Sequence, residues 1–479
     1  MIKPAKTHPL ILSIILLMAL LGPSHSVLGQ QNAADIVIGK RVIFHSKIFN
    51  RDLTLSISLP ADYETSAAKY AVLYDTNAFI NFNQDAAAVE YLSSTGLSFM
   101  PEMIVVGVPY LGDYVPTPFE ERDSTLKAAD LSLKFFREDL IPFIDGTYRT
   151  SRFNLLFGHS VGGLFTMYAL FTQPDLFSAG IASSPYFEAL DQYWLKHVDQ
   201  MFKAESLAYK HLYLAVGKKE REQTRNTFAE LEKWMASKDL KGLTWKSAWL
   251  DGVDHMSMLG KSFYDGLLSI FDGWQFPFDI VMSADVAAIE EHTGQIRAKF
   301  GGLIDYKIPE DLLDETCRRL LERKSYDQAI NLITLRVGLY PRSTKSYYDL
   351  AEIYAAKGDK ESAKKYYDLY IRNCQDKTEP EKILLQIVKA KAHPSRASEK
   401  TLKMYPGVYG ERTVFLENGV LSYQRTGRPK FRLIPLTETL YALDGYENFW
   451  IEFVVTDGKA AEIVGLYGDG RREPSHRTK

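Results

Sequence analysis

The residues around Ser160 constrain the fold of this chain more than any other part of the sequence. An apolar run, Phe153–Phe157, leads into Gly158-His159-Ser160-Val161-Gly162-Gly163, and the apolar stretch Leu164–Leu170 follows. This order predicts a buried strand, a sharp turn and a helix, because the glycines remove side chains that would clash in the turn. Such a turn lifts the serine hydroxyl to the start of a helix, which favours negative charge. The motif predicts a nucleophilic serine; the alternative is a serine that only caps the helix.

Strand-like and helix-like segments alternate on both sides of this motif, from Arg41 to about Phe278. Arg41–Ile48 and Asp52–Leu59 alternate apolar and polar residues, as two paired antiparallel strands do. Short apolar runs predict five further buried strands: Tyr70–Tyr74, Met103–Val108, Gly180–Ser183, His211–Val216 and Leu243–Leu250. Helical periodicity marks three segments: Thr125–Tyr148, Arg221–Ser237 and Lys261–Phe271. The alternation predicts a doubly wound, mostly parallel α/β sheet over residues 40–280.

A serine hydroxyl needs a base that another part of the chain must supply. In folds with this kind of turn, an acid and then a histidine follow the serine along the chain. His255 comes directly after the predicted last strand, at the sheet edge where Ser160 is expected. His211 begins a strand, and His197 lies in Tyr186–Leu207, a segment typical of an inserted cap. His255 is therefore the predicted base; the alternative is an ordinary loop histidine.

The acid that orients the histidine should follow the preceding strand, which ends at Val216. Glu220 is the predicted acid, and Glu222 is the alternative. Asp251 and Asp254 are close to the histidine in sequence, but such near neighbours cannot easily reach the outer nitrogen of its ring. A charged, solvated loop is the structural alternative for the segment that contains both glutamates.

Two backbone N–H groups are expected to stabilise the oxyanion. The residue after the nucleophile, Val161, should supply one of them. The other should come from the loop after an early strand, where Asn77 and Ala78 are the candidates. No metal and no other cofactor is expected in this chemistry.

The pattern changes twice towards the C terminus. Residues 283–395 are predicted to be helical, and a four-residue pattern recurs there at a spacing of 34, as Tyr326-Asp327-Gln328-Ala329 and Lys360-Glu361-Ser362-Ala363. This spacing resembles two tetratricopeptide repeats, which could bind a protein partner. Residues 401–472 alternate like strands and contain Asn-Gly and Asp-Gly turns, which predicts a small antiparallel β domain.

The first thirty residues differ from the rest of the chain. Lys3 and Lys6 precede an apolar run, Leu10–Leu21, and small residues follow as far as Gly29. This order predicts a signal peptide over residues 1–29 and export from a bacterial cell, to the periplasm or the medium. The alternative is an uncleaved anchor. The run is too short for an ordinary membrane span, so no span is expected after cleavage.

Charge and cysteine content exclude several classes of protein. The formal net charge is −3, with lysine and arginine spread along the chain, whereas nucleic-acid binding needs a concentrated basic surface. Cys317 and Cys374 are too few for a disulfide framework, although an exported protein could pair them. They also lack the spacing of a zinc site. Cys317 falls on a repeat position where small residues pack.

Several segments follow the order found in one family of α/β-hydrolases. They are Tyr70–Tyr74, Ile104–Val108, Asp113–Thr117, Gly158–Gly163, Leu212–Glu220 and Asp254-His255. Over about residues 40–275 the chain resembles the esterase family that includes esterase D and the enterobactin-type siderophore esterases. The resemblance implies an α/β-hydrolase fold, a triad of Ser160, Glu220 and His255, and ester or thioester hydrolysis without a cofactor. Two features depart from the family: Asn77 and Ala78 replace an Asp-Gly pair, and Gly112 replaces an arginine that would attract anionic siderophores.

Together these features predict an exported serine carboxylic-ester hydrolase that forms an acyl-enzyme with a small-molecule or acyl ester. Aromatic residues of the cap and of the Pro109–Arg122 loop either line an apolar pocket or simply pack: Tyr110, Tyr114, Phe119, Tyr186, Phe187 and Trp194. Two alternatives remain open. A non-catalytic binding or scaffold protein would use the helical repeats, and an acyltransferase would use the same triad with an alcohol acceptor.

Overall fold

The computed structural model describes residues 36–94, 98–111, 128–201, 207–341, 343–374, 379–393, 398–444, 446 and 449–478. The predicted signal peptide, residues 1–29, lies outside these ranges. Within them, no helix has both the length and the apolar character that crossing a membrane requires.

An eight-stranded sheet forms the N-terminal half of the chain. Its strands are β1 (Lys40–Ser46), β2 (Arg51–Ser58), β3 (Tyr70–Asp75), β4 (Met103–Gly107), β5 (Thr150–His159), β6 (Ala179–Ser183), β7 (Lys210–Gly217) and β8 (Leu243–Leu250). They lie in the order β1-β2-β4-β3-β5-β6-β7-β8. Strands β1 and β2 pair antiparallel, and every pair from β4 to β8 is parallel. The carboxyl ends of β3 to β8 therefore meet at one edge of the sheet, where ligands bind in folds of this class.

Helices cover both faces of this sheet. They are α1 (Ala78–Ser93), α2 (Ala128–Phe135), α3 (Ile141–Thr147), α4 (Val161–Thr172), α5 (Ala189–Lys196), α6 (Val198–Met201), α7 (Glu222–Ser237) and α8 (Leu259–Ile270). Side chains of one strand alternate between two apolar cores: Val72 and Tyr74 point into one, and Ala71 and Leu73 into the other. The predicted doubly wound α/β-hydrolase fold is confirmed.

The segment predicted as one helix over Thr125–Tyr148 is divided in the structure. A π-helical turn, Phe136–Leu140, separates α2 from α3. Pro142 explains the irregularity, because proline has no N–H and its ring clashes with the carbonyl group four residues earlier. The turn also directs Asp139 to the sheet, where its carboxylate accepts hydrogen bonds from Ser46 Oγ at 2.7 Å and from Ile48 N at 2.9 Å.

The middle of the chain is helical, as the sequence predicts. Its helices are α9 (Phe278–Ser283), α10 (Val286–Lys299), α11 (Glu310–Glu322), α12 (Tyr326–Leu339), α13 (Thr344–Ala356), α14 (Lys360–Asn373), α15 (Glu379–Ala392) and α16 (Glu399–Leu402). The tetratricopeptide interpretation and a partner for these helices stay predictions. One core joins these helices to the sheet: the Phe300 ring lies 5.7 Å from Phe153 of β5 and 5.4 Å from Phe271.

Neither cysteine forms a disulfide. Cys317 of α11 is 2% exposed, and burial raises the pKa of its thiol to about 12. The thiolate is the reactive form of cysteine, and at neutral pH this thiol stays protonated. The Cys317 side chain therefore packs as a small apolar group.

A second eight-stranded sheet ends the chain, and it is antiparallel throughout. Its strands follow one another in sequence order: β9 (Gly407–Tyr409), β10 (Arg412–Glu417), β11 (Val420–Arg425), β12 (Lys430–Pro435), β13 (Leu440–Leu443), β14 (Phe449–Thr456), β15 (Lys459–Tyr467) and β16 (Arg472–His476). A bridge between Tyr409 and Arg477 brings the two ends together, so the sheet is nearly a barrel. The last strand extends past the predicted domain end at residue 472.

Candidate active site

The turn after β5 has the strained geometry that the Gly-x-Ser-x-Gly motif predicts. Ser160 adopts φ 57° and ψ −117°, and α4 begins at the next residue. A side chain cannot replace Gly158, since an added Cβ would lie 2.1 Å from the carbonyl oxygen of Gly162. Strain of this kind persists only where the surrounding structure enforces it, and it is common at catalytic residues.

This close approach makes Gly158→Ala a strongly destabilising change. The new methyl group would overlap backbone atoms that cannot move independently, so we expect a loss at or above the upper end of about 1–3 kcal/mol in the free energy of unfolding. Urea denaturation measures it. Gly146→Ala in α3 is the matched control, because nothing lies within 4 Å of its added Cβ. Equal stabilities of the two variants would contradict the tight turn.

Neighbouring strands hold the turn in place. Asn77, in the loop after β3, accepts the N–H of His159 through its Oδ1 at 2.8 Å. The backbone N–H of Ser160 donates to the carbonyl oxygen of Ser183 at 2.9 Å, and the carbonyl oxygen of Ser160 accepts the N–H of Tyr186 at 3.0 Å. The position of the Ser160 hydroxyl is therefore set by the loops after β3 and β6.

The predicted base and acid lie together at the same sheet edge. His255 Nδ1 is 3.0 Å from Glu220 Oε2 and 3.2 Å from Oε1. The Glu220 side chain is 1% exposed and the His255 side chain 39% exposed. Burial disfavours ionisation of Glu220, but hydrogen bonds from His255 and Ser184 outweigh it and lower the pKa of the carboxyl group. Glu222, the alternative acid, is an exposed residue at the start of α7.

Ser184 is a member of this group that the sequence interpretation missed. Its hydroxyl donates to Glu220 Oε1 at 2.6 Å and lies 3.2 Å from His255 Nδ1. Ser184 is 1% exposed and has a positive φ of 44°, and its N–H donates to the carbonyl oxygen of Ala215 at 2.7 Å. It therefore fixes one carboxylate oxygen of the acid. Its place directly after a buried parallel strand was the available signal.

A second histidine, His159, packs against the predicted base. The two imidazole rings have centroids 4.5 Å apart. His159 Nδ1 is 3.0 Å from Ser183 Oγ, which in turn accepts the hydroxyl of Ser262 at 2.7 Å. Burial, with a smaller effect of nearby His255, lowers the pKa of His159 to about 4. His159 is therefore neutral at neutral pH and adds no positive charge beside His255.

The three oxyanion candidates differ in what their N–H groups already bind. Val161 and Ala78 are the first residues of α4 and α1, and N–H groups of a first helical turn have no acceptor within their own helix. The N–H of Asn77 is already donated to Asp75 Oδ1 at 2.7 Å. Ala78 is therefore the better placed of the two loop candidates.

Most aromatic residues proposed for a pocket are explained by packing or lie outside the described ranges. Phe187 and Trp194 are at most 1% exposed and belong to the core, and Tyr114 and Phe119 fall within residues 112–127, which the structure does not describe. Tyr110 is 61% exposed, and its ring lies 5.6 Å from that of Phe79.

Two further exposed apolar side chains flank the site. Phe79 follows the oxyanion candidate Ala78 and is 58% exposed, and Met256 follows His255 and is 56% exposed. We refer to Phe79, Tyr110 and Met256 as the apolar rim, because all three are exposed and each lies in the chain shortly after a strand that ends at this edge of the sheet. The sequence interpretation missed Phe79 and Met256, because nothing in the local sequence indicates that an apolar residue at a helix start or in a turn stays exposed.

Comparisons with known proteins point to ester hydrolysis. Residues 46–255 match the model of a family described as "Putative esterase". The ferri-bacillibactin esterase BesA of Bacillus subtilis (strain 168) is 26% identical over 261 residues, which cover 48% of this chain and 89% of that protein.

Two solved structures are similar. An uncharacterised protein of Capnocytophaga ochracea DSM 7271 has a TM-score of 0.53 at 19% identity, over 69% of this chain and 93% of that one. An IroE-like serine hydrolase from Shewanella oneidensis has a TM-score of 0.48 at 20% identity, over 70% and 99%. Over residues 46–255 the chain is thus similar to this esterase family, and the family match and the curated relative support a serine-type carboxylic ester hydrolase.

Proposed function

We propose that the chain hydrolyses a small carboxylic ester through an acyl-enzyme on Ser160, with His255 as base and Glu220 as acid. The observation that carries the proposal is the contact of His255 Nδ1 with the buried Glu220 carboxylate, at the sheet edge where the strained turn presents Ser160. Such a contact fixes the tautomer in which Nε2 accepts a proton.

The reaction follows from these positions. Ser160 Oγ attacks the ester carbon while His255 Nε2 takes the hydroxyl proton, and the carbonyl oxygen becomes an oxyanion. The N–H groups of Val161 and Ala78 stabilise that charge. Collapse of the intermediate breaks the bond to the alkoxy group, which leaves with the proton from His255. Water then attacks the acyl group on Ser160 with His255 again as base, and the acid is released.

Burst kinetics with a p-nitrophenyl ester, followed by a fluorophosphonate probe, test this mechanism. When deacylation is slower than acylation, an acyl-enzyme gives an initial release of one nitrophenol per active enzyme before the steady rate. The probe should leave one adduct, which mass spectrometry places on the peptide containing Ser160. An adduct on any other residue, or an enzyme that hydrolyses the ester without reacting with the probe, would count against it. A competing alcohol distinguishes hydrolysis from acyl transfer, because transfer yields a new ester.

The apolar rim of Phe79, Tyr110 and Met256 supports substrates with an apolar group beside the ester. We expect Phe79→Ser to lower kcat/KM for a butyryl or benzoyl ester about tenfold more than for an acetyl ester, since removing a contact of this size costs about 1–2 kcal/mol. Kinetics on matched esters measure the ratio. Ile434→Ser is the control, because Ile434 is also exposed, at 41%, but lies in β12 of the C-terminal sheet. An unchanged acetyl-to-butyryl ratio in Phe79→Ser would exclude this contact.

We also propose that the protein is exported, on the charge and hydrophobicity pattern of residues 1–29. N-terminal sequencing of the protein from a periplasmic fraction or culture medium tests this, and we expect the mature chain to begin near Val27 or Gln30. A protein found only in the cytoplasmic fraction would contradict export, and an exported chain that still starts at Met1 would contradict cleavage.

A further inference from the structure

Two carboxyl groups are buried together behind the turn that presents Ser160. Asp75 is the last residue of β3 and Asp85 lies on α1, and both are 0% exposed. Their side chains are within hydrogen-bonding reach of each other. Asp75 Oδ2 and Asp85 Oδ1 each have no hydrogen-bond donor among the residues that the structure describes. A buried acceptor without a donor is costly, so two of them in contact call for a shared donor.

A proton bound by one of the two carboxyl groups can serve as that donor, and electrostatics favours its binding. Two adjacent carboxylates in an apolar interior cannot both keep their charge, because desolvation and mutual repulsion both oppose it. Burial raises the pKa of both carboxyl groups, and the charge of Asp75 raises that of Asp85 further. One proton between them removes the repulsion and satisfies both of the unpaired oxygens.

The remaining carboxylate oxygens connect this pair to the active site. Asp75 Oδ1 accepts the N–H of Asn77 at 2.7 Å, and Asn77 Oδ1 accepts the N–H of His159, the residue before Ser160, at 2.8 Å. Asp85 Oδ2 accepts from Asn81 Nδ2. Asn77 also packs closely against the turn, because a Cβ added at Gly162 would lie 3.1 Å from Asn77 Oδ1. A change at the carboxyl pair is therefore transmitted to the turn through one residue, Asn77.

We propose that Asp75 and Asp85 share one proton and act as a positioning pair, which holds Asn77 against the turn that carries Ser160 and fixes the adjacent N–H of Ala78. This inference rests on the proposed role of Ser160. Neither aspartate contacts the substrate. Ionisation of the shared proton would leave two buried charges, and the loop after β3 would move to hydrate them.

Other titratable groups on the elements around the pair are engaged elsewhere. Helix α8 packs against α1 and carries Lys261 and Asp265, which pair with each other at 2.8 Å near the surface. Glu90 of α1 is exposed, and β4 has no titratable side chain. His159 at the end of β5 bonds Ser183 and packs against His255. Among the residues that the structure describes, the pair therefore has no cation in contact that would replace its proton.

The proton itself is open to direct measurement in the full-length protein. Infrared spectra at pH 7.5 should contain the carbonyl absorption of a buried, protonated carboxyl group, and the difference between wild type and Asp85→Asn should isolate it. The same absorption should persist in Ser160→Ala, so this readout does not depend on the catalytic role of Ser160. Absence of the band from the wild-type spectrum overturns the proposal without any variant having to fold.

Stability against pH provides a second readout. The unfolded chain releases this proton near pH 4, whereas the folded protein keeps it, so the free energy of unfolding falls as pH rises from about 4 through neutrality. Urea titrations at several pH values should give a linkage slope for wild type that differs from that of Asp85→Asn by about one proton. Equal slopes would contradict a proton held by the pair.

Kinetics then separate a positioning role from a purely structural one. An Asn at position 85 can donate to Asp75 Oδ2 and still accept from Asn81, so Asp85→Asn should retain kcat within about threefold at pH 7.5. Asp85→Ala leaves Asp75 Oδ2 unpaired, and we expect kcat of the folded enzyme to fall at least tenfold with little change in KM. An Asp85→Ala enzyme that melts earlier but keeps its kcat would show a structural role only. Residual full activity in Ser160→Ala would overturn the proposed function and leave the infrared result standing.

Discussion

Ser160→Ala is expected to lower kcat/KM for a short-chain aryl ester by about 10⁵- to 10⁶-fold, because no other group can form the acyl-enzyme. The substitution removes only the hydroxyl oxygen. The backbone at φ 57° already tolerates a Cβ, so the melting temperature should stay close to that of wild type. Hydrolysis assays with the purified variant measure the loss, and a fluorophosphonate probe should no longer label the protein.

Ser184→Ala is the matched control for this experiment. Ser184 is a serine at the same sheet edge, also with a positive φ, but its hydroxyl bonds Glu220 and His255 instead of facing substrate. Loss of one such hydrogen bond costs about 1–2 kcal/mol, so we expect a fall of about tenfold in kcat and continued labelling by the probe. Equal hydrolysis by Ser160→Ala and wild type would refute the proposed nucleophile.

Glu220→Gln is expected to lower kcat by about 10³- to 10⁴-fold, as loss of the third member of a triad does elsewhere. Glutamine has the same shape, but its amide can donate to Nδ1 and favour the wrong tautomer of His255, and it cannot balance the imidazolium charge. Glu222→Gln is the matched control two residues away and should stay within twofold of wild type. A large loss in the Glu222 variant and none in the Glu220 variant would reverse the assignment.

Glu220→Gln should also change how the stability of the protein depends on pH. The pKa of Glu220 is lowered in the folded protein, so its contribution to stability is present above the unfolded pKa, near 4.3, and is lost as pH falls through the folded value. As pH falls from about 5 to below the folded pKa, the wild type should therefore lose more stability than Glu220→Gln. Thermal melts across this range measure it, and parallel curves would argue against the ionised Glu220–His255 contact.

How far the sequence predicts this site depends on how local each signal is. Ser160 lies in a motif that fixes its own turn, and Glu220 and His255 follow successive strands whose ends must meet at one edge. Ser184, Asp75 and Asp85 have no comparable pattern: their roles arise only when β6 lies beside β7 and α1 packs behind β3. The buried positions of Phe187 and Trp194 also depend on tertiary packing, since an aromatic run is compatible with a pocket and with a core.

The fold likewise contains elements that the sequence predicts and elements that it does not. Apolar runs and alternation predicted the sheet, the helical middle and most of the C-terminal strands, because burial imposes those periods directly on the sequence. Strand β16 lies almost wholly past the predicted end of the β domain at residue 472, and Pro474 interrupts its alternation. The break of the long helix at Phe136–Leu140 was not predicted, because the apolar spacing continues through it from Leu133 to Phe143.

The core shared by the sheet and the following helices has a consequence for biosynthesis. Phe153 and Phe271 pack on Phe300, and the same core continues to Leu313 and Cys317. During translation, the face of the sheet that these residues cover stays open to water until they have left the ribosome. The catalytic domain therefore matures late, and a fragment that stops at residue 255 would present that bare face to chaperones and to other copies of itself.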